Sequence, residues 1–120
     1  MGKRIMIVDD SRVIEVQMAK LLEGTEYEVA AYCKDGEEAL ARYGEVLPDL
    51  VTMDIIMPGM DGLEAAEAIL EDYPEARIVM VSSLAYEDTI QEADEIGAKN
   101  FVFKPLDKKQ LLNAFEKAFA

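Results

Sequence analysis

The stretch IMIVDD, residues 5–10, sets four apolar residues directly before two aspartates, and its reading decides the fold. A run this short and this continuously apolar suits a strand covered on both faces. The pattern returns further along the chain: LVTM (50–53) stops against Asp54 and RIVMV (77–81) against Ser82. With EVAAYC (28–33) and NFVF (100–103), the strand candidates are residues 4–8, 28–33, 50–53, 77–81 and 100–103.

Helical patterns fill the gaps. Ile14, Met18, Leu21 and Leu22 recur at i, i+4, i+7 and i+8 and share one face, with Gly24 placed to end that helix. Asp35 precedes Glu38 by three residues, and Asp61 precedes Glu64 likewise; both pairs read as capping boxes with aspartate as the cap. The helix after Asp61 offers Leu63, Ala66 and Leu70 as its apolar stripe. A fourth helix is expected over residues 86–96, with Ile90, Ala93 and Ile96 facing in and Gly97 ending it. The fifth starts at Asp107, has Gln110 three residues on, and buries Leu111, Leu112, Phe115 and Phe119. Strand–helix units repeating about every 25 residues predict an α/β fold, with a parallel sheet, right-handed crossovers and three αβα layers. No linker, low-complexity tract or second-domain boundary interrupts residues 1–120, so one domain is expected.

Composition narrows the function classes. Hydrophobic residues make up 51% of the chain and charged residues 31%, which favours a folded domain over disorder. Cys33 is the one cysteine and reads as a small buried apolar residue; without an intrachain disulfide the chain suits a reducing cytosol. Histidine is absent, which excludes histidine-based zinc sites and histidine general bases. The apolar runs fall far short of the ~20 residues of a membrane helix, and residues 5–8 are too short for a signal peptide. A soluble, cytoplasmic protein is expected. The net charge is −13, with residues 61–96 at −10 and residues 97–120 at +3. Such a surface repels phosphate backbones, so no direct nucleic-acid binding is expected. The acidic stretch reads first as solvated helix faces.

In a parallel sheet the strand C-termini share one edge, where open α/β sheets bind ligands. Asp9, Asp10, Asp54, Ser82 and Lys104 all fall just past such ends. Clustered carboxylates repel one another, which raises their pKa values unless a cation neutralises them. The donors are all oxygens and too sparse for a full cage, which suits Mg²⁺, an ion that keeps several waters. An aspartate beside such an ion is a plausible nucleophile toward phosphorus, with Ser82 donating a hydroxyl hydrogen bond and Lys104 a point charge. Each residue alone has a plainer reading. Asp10 could cap the first helix, Asp54 could be a loop residue before Pro58-Gly59, and Ser82 and Lys104 could be ordinary strand-end and surface residues. The joint pattern decides for a site.

In their order and spacing IMIVDD (5–10), DLVTMDIIMPGMDG (49–62), VMVSS (79–83) and FVFKP (101–105) resemble the receiver domains of bacterial two-component response regulators, chemotaxis regulators included. The resemblance implies a flavodoxin-like fold with strand order 2-1-3-4-5, and Asp54 as acceptor of a phosphoryl group from a histidine kinase. It implies Mg²⁺ held by Asp10, Asp54 and the main-chain carbonyl of Ile56, with Asp9 ligating directly or through water. Ser82 and Lys104 would contact the phosphoryl group, the Lys104–Pro105 peptide would be cis, and Phe101 would be the aromatic partner of Ser82 in a switch. Phe101 lacks the hydroxyl of the tyrosine often found there, and Ser82 replaces the commoner threonine.

The expected partners are a histidine kinase, a downstream target or output domain, and a separate phosphatase or bifunctional kinase that resets the switch. The signal is expected to leave through the fourth helix, fifth strand and fifth helix. There the acids Glu87, Asp88, Glu92, Asp94 and Glu95 face Lys99, Lys108, Lys109 and Lys117, and pairing within one copy is favoured over pairing between two. An aspartyl-phosphate phosphatase would need a second aspartate where Ile56 stands, and a flavodoxin would need a Ser/Thr/Gly-rich phosphate loop after the first strand.

Overall fold

The computed structural model describes residues 2–84 and 86–120. Five strands, β1 (Lys3–Val8), β2 (Tyr27–Cys33), β3 (Leu50–Asp54), β4 (Ile78–Ser82) and β5 (Asn100–Phe103), alternate with five helices. These are α1 (Arg12–Leu21), α2 (Gly36–Val46), α3 (Gly62–Asp72), α4 (Glu87–Ile96) and α5 (Lys108–Ala118). All strand pairings are parallel, in the order β2-β1-β3-β4-β5. This is the flavodoxin-like αβα sandwich expected from the alternation.

The strand period of two splits the core in half. Ile5, Ile7, Val79, Val81 and Val102 point to one face, where Ile14 and Met18 of α1 and Leu111 and Phe115 of α5 cover them. Met6, Val8, Val51, Met53, Ile78 and Met80 point to the other, beneath Ala39 and Tyr43 of α2, Ala65, Ala66 and Ile69 of α3 and Ala93 of α4. Right-handed crossovers set α1 on one face and α2, α3 and α4 on the other, because the chain reverses direction across the sheet at β2. Burying each large apolar side chain contributes roughly 1.5–3 kcal/mol. Among the described residues no helix is long and apolar enough to cross a membrane.

Three local readings need correction. β3 and β4 run one residue further than expected: Asp54 pairs with Val81 and Ser82 with Phe103, so both polar residues are fixed by the ladder itself. The buried stripe of α3 is Gly62, Ala65, Ala66 and Ile69, with Leu63 and Leu70 only half-buried, because small residues let the helix lie close to the sheet. Ser11, and not Asp10, is the N-cap of α1, and its side chain makes no cap bond. The other caps separate the two expected boxes. Asp61 and Glu64 form the reciprocal box. Asp35 accepts from the Glu38 N–H at 2.8 Å, but Glu38 reaches one residue further back, to the Lys34 N–H at 2.8 Å.

Candidate functional site

Parallel pairing carries five polar residues, three of them aspartates, to one sheet edge. Asp9 and Asp10 follow β1, Asp54 closes β3, Ser82 closes β4, and Lys104 follows β5. Asp9, Asp10 and Asp54 each present a carboxylate oxygen within 4.8 Å of the others. Asp9 is 1% exposed and Asp54 5%, whereas Asp10 faces solvent. The Lys104 ammonium lies 2.9 Å from Asp9 Oδ2 and 3.5 Å from Asp54 Oδ1, bridging the two buried acids. The Lys104–Pro105 peptide just beyond is cis.

Each side chain has a local reason for its pose. Asp9 Oδ1 accepts the Ser11 N–H at 2.8 Å, which satisfies a donor at the start of α1 and turns Oδ2 toward Lys104. Ser82 is buried, and its Oγ accepts the Leu84 N–H at 3.1 Å, so its own hydrogen can serve another acceptor. Beyond Asp54, Ile55 and Met57 are buried while Ile56 between them is 59% exposed. Gly62 returns that loop against the strand, donating its N–H to the Ile55 carbonyl at 2.8 Å. A Cβ on Gly62 would overlap the Asp54 carbonyl oxygen, so no larger residue fits there. Glu37 of α2 accepts the Met60 N–H at 3.2 Å and holds the loop from outside.

The electrostatics favour a cation. Burial first, and then the negative charge of Asp9, push Asp54 up to about 6, although Lys104 opposes the rise. Burial pulls Lys104 down, but hydrogen bonding and charge from Asp9 and Asp54 outweigh it and hold the ammonium above its usual range. One lysine thus faces three carboxylates. Asp9 Oδ2 is buried, and its neutralising neighbour is the Lys104 ammonium at 2.9 Å. Three carboxylates that share a single lysine form an all-oxygen set, which fits a hard divalent ion such as Mg²⁺.

The structure brings Asp9, Asp54 and Lys104 into direct contact, with Asp10 within ligand distance. Phe101 lies apart from the carboxylates. Half-buried on β5, its ring lies tilted against Phe103 with centroids 5.2 Å apart, and it lines a cavity of about 170 Å³ with Ile90, Ala93 and Ala98. Two supporting residues escape sequence reasoning. Gly62 follows the capping Asp61 and reads only as part of a helix start. Tyr32 reads as one more strand residue, yet its hydroxyl donates to the Asp9 carbonyl at 2.7 Å.

An open parallel sheet with an acidic cluster and one lysine at its carboxyl edge belongs to the class of α/β domains that bind ligands at that edge. Residues 5–116 match the response regulator receiver domain family, and the chain belongs to it. It is 38% identical over 115 residues to the chemotaxis protein CheY of Listeria monocytogenes, covering 96% of this chain and 97% of that protein. It is 43% identical over 111 residues to CheY of Treponema pallidum, covering 91% and 77%. Among solved structures, the CheX–CheY–BeF3–Mg²⁺ complex from Borrelia burgdorferi superimposes with a TM-score of 0.94 at 33% identity, covering 98% of this chain and 90% of that one. The chain is therefore a CheY-like receiver domain, a signalling phosphoacceptor by family.

Proposed function

We propose that Asp54 accepts a phosphoryl group from a phosphohistidine of a partner kinase, and that the charge change reshapes the α4–β5–α5 face. The observation that carries this reading is the lysine bridge, with the Lys104 ammonium 3.5 Å from Asp54 and 2.9 Å from Asp9. A carboxylate held beside a fixed cation, at a sheet edge open to solvent through Asp10, is poised for attack on phosphorus.

An Asp54 oxygen forms the new bond to phosphorus. The bond from phosphorus to the donor nitrogen breaks, its electron pair stays on the imidazole, and that ring takes up a proton. Lys104 balances charge on the transferred group, and Ser82 donates its hydroxyl hydrogen to a phosphoryl oxygen. Asp10, Asp54 and the main-chain carbonyl of Ile56 would hold Mg²⁺, with Asp9 ligating directly or through water. Bound there, the ion supplies positive charge at the phosphoryl oxygens. The relative in the Borrelia complex is described with Mg²⁺ and BeF3, which supports the assignment.

When Ser82 turns toward the phosphoryl group, its bond from the Leu84 N–H is given up, and the β4–α4 connection follows. The cavity beside Phe101 offers its ring a place to move. Among the described residues the α4 acids make no ion pair with Lys99, Lys108, Lys109 or Lys117, so the favoured pairing within one copy is not seen. Those charges remain for a downstream protein target or output domain. A separate phosphatase, or the kinase itself, would reset the switch. The reading takes residues 1–120 as one receiver unit working in the cytoplasm, with no membrane contact and no nucleic-acid contact of its own.

Incubation with acetyl phosphate and Mg²⁺ followed by intact-mass measurement tests it. Wild type should gain one phosphate and Asp54→Ala none. A phosphorylated Asp54→Ala protein would sink the assignment.

A further inference from the structure

The end of the β1–β2 ladder leaves one buried backbone group without a ladder partner. Val8 pairs with Cys33, and the Asp9 N–H donates to the Cys33 carbonyl at 3.0 Å as the last rung. A continuing parallel ladder would next give the Asp9 carbonyl an N–H from the residue after Lys34. β2 stops instead at Cys33. The Lys34 N–H goes to Glu38 Oε1 at 2.8 Å, and Asp35 leaves the sheet to cap α2. The Asp9 carbonyl is thus cut off from the sheet in a residue 1% exposed. The Tyr32 hydroxyl supplies the missing donor at 2.7 Å, from the neighbouring strand.

The ring that carries this hydroxyl is itself held. Arg12 lies over it, 5.7 Å from the guanidinium carbon to the ring centroid, and is fixed in turn by Glu15 at 2.9 Å. Arg42 of α2 donates to the Tyr32 carbonyl at 3.2 Å. Asp9 is therefore tied at three points: its N–H to β2, its Oδ1 to Ser11, and its carbonyl to Tyr32. The third tie orients the Asp9–Asp10 peptide, and that plane sets the direction in which the exposed Asp10 side chain leaves the backbone.

We infer that Tyr32 is a positioning residue for the acidic pair, its hydroxyl fixing the Asp9–Asp10 peptide so that both carboxylates converge with Asp54 on one cation. The inference rests on the proposed reading of the pocket as a Mg²⁺ site. Orienting partners of metal ligands act in this indirect way, through direction and not through contact with the ion.

Tyr32→Phe removes the hydroxyl and keeps the ring beneath Arg12. Calorimetric titration with Mg²⁺ should show roughly tenfold weaker binding than wild type, the low end of what such partners contribute. The Asp10 amide nitrogen, which belongs to the peptide whose carbonyl loses its donor, should shift in an NMR spectrum of the metal-free protein. At saturating Mg²⁺, acetyl phosphate should phosphorylate the variant at the wild-type rate, which separates lost metal affinity from a damaged reaction centre. Unchanged Mg²⁺ affinity, or an unmoved Asp10 resonance, overturns the inference while leaving the proposed function intact. Wild type that binds no Mg²⁺ sinks the proposed function, and the positioning role with it.

Discussion

The two ends of the same parallel strands are built on opposite electrostatic plans. At the carboxyl edge, like charges are crowded and partly buried: three carboxylates converge with one lysine beside them. At the amino edge, cations meet aromatic rings. Lys3 at the start of β1 lies 4.2 Å, and Arg77 before β4 4.8 Å, from the centroid of Phe119. Tyr27 meets Phe115 edge-on at 5.0 Å and stacks on Phe119 at 6.4 Å. Arg4 adds a cap there, donating to the Val46 and Leu47 carbonyls at the end of α2 at 2.6 and 3.0 Å. The amino edge holds the domain together. The carboxyl edge draws on that stability to hold acids together where a cation relieves their repulsion.

The largest expected effect lies at the stabilising end. Phe115 is fully buried, and Phe115→Ala should cost about 3–5 kcal/mol through lost burial and a residual cavity. Chemical denaturation would measure it, and a loss below about 1 kcal/mol would show that α5 is not the anchor.

The carboxyl edge should respond in the opposite sense. Asp10→Asn removes one repelling charge, so the metal-free protein should melt higher while the gain in melting temperature from Mg²⁺ shrinks markedly. A Mg²⁺ titration matching wild type would show that Asp10 is not a ligand.

The acid–base behaviour of Asp54 sharpens the contrast. Its folded value of about 6 lies above the ordinary 3.8, so the folded chain holds this proton more tightly than the unfolded one. The stabilisation is complete below the ordinary value and is lost as pH rises through about 6. Metal-free wild type should therefore lose stability relative to Asp54→Asn between about pH 4 and 7, by up to about 3 kcal/mol and by less where solvent screens the site. Mg²⁺ should stabilise wild type more at pH 7 than at pH 5, because only the ionised carboxylate ligates. Parallel pH curves for the two proteins would remove Asp54 as the strained group.

The smallest effect concerns the lifetime of the phosphorylated state. Hydrolysis needs a water held in line with the phosphorus–oxygen bond, and neither Ile56 nor Leu84 can hydrogen-bond one through its side chain. Ile56→Asn, and more so Ile56→Asn with Leu84→Gln, should speed phosphate loss in a dephosphorylation time course. Unchanged rates would show that access at these positions does not set the lifetime.

The carboxyl edge was more legible in the sequence than the amino edge, for a physical reason. Its residues follow short apolar runs, and parallel pairing turns each run's end into an address on one edge. Asp9, Asp54 and Lys104 could thus be brought together before any coordinate was known. The aromatic and cationic contacts around Phe119 link the first strand, the start of the fourth and the end of the last helix, and no periodicity announces them. Tyr32 was hidden likewise, because its role depends on where the ladder stops and not on its own spacing. The α3 pattern points to its leucines because leucine outweighs alanine in a pattern, whereas close helix–sheet contact selects the small residue. By position Asp10 suits a helix cap, but Asp9 takes the Ser11 N–H and leaves Asp10 facing solvent.

In the proposed function the strained carboxylate at the end of β3, Asp54, is the group that carries phosphate. Borohydride reduction of acetyl-phosphate-treated protein converts an aspartyl phosphate into a reduced residue that peptide mass mapping can place. The reduced residue should fall at position 54 alone, and should disappear when Mg²⁺ is chelated before the donor is added. Reduction at Asp9 or Asp10, or none anywhere in protein shown to be folded and Mg²⁺-bound, would contradict the account.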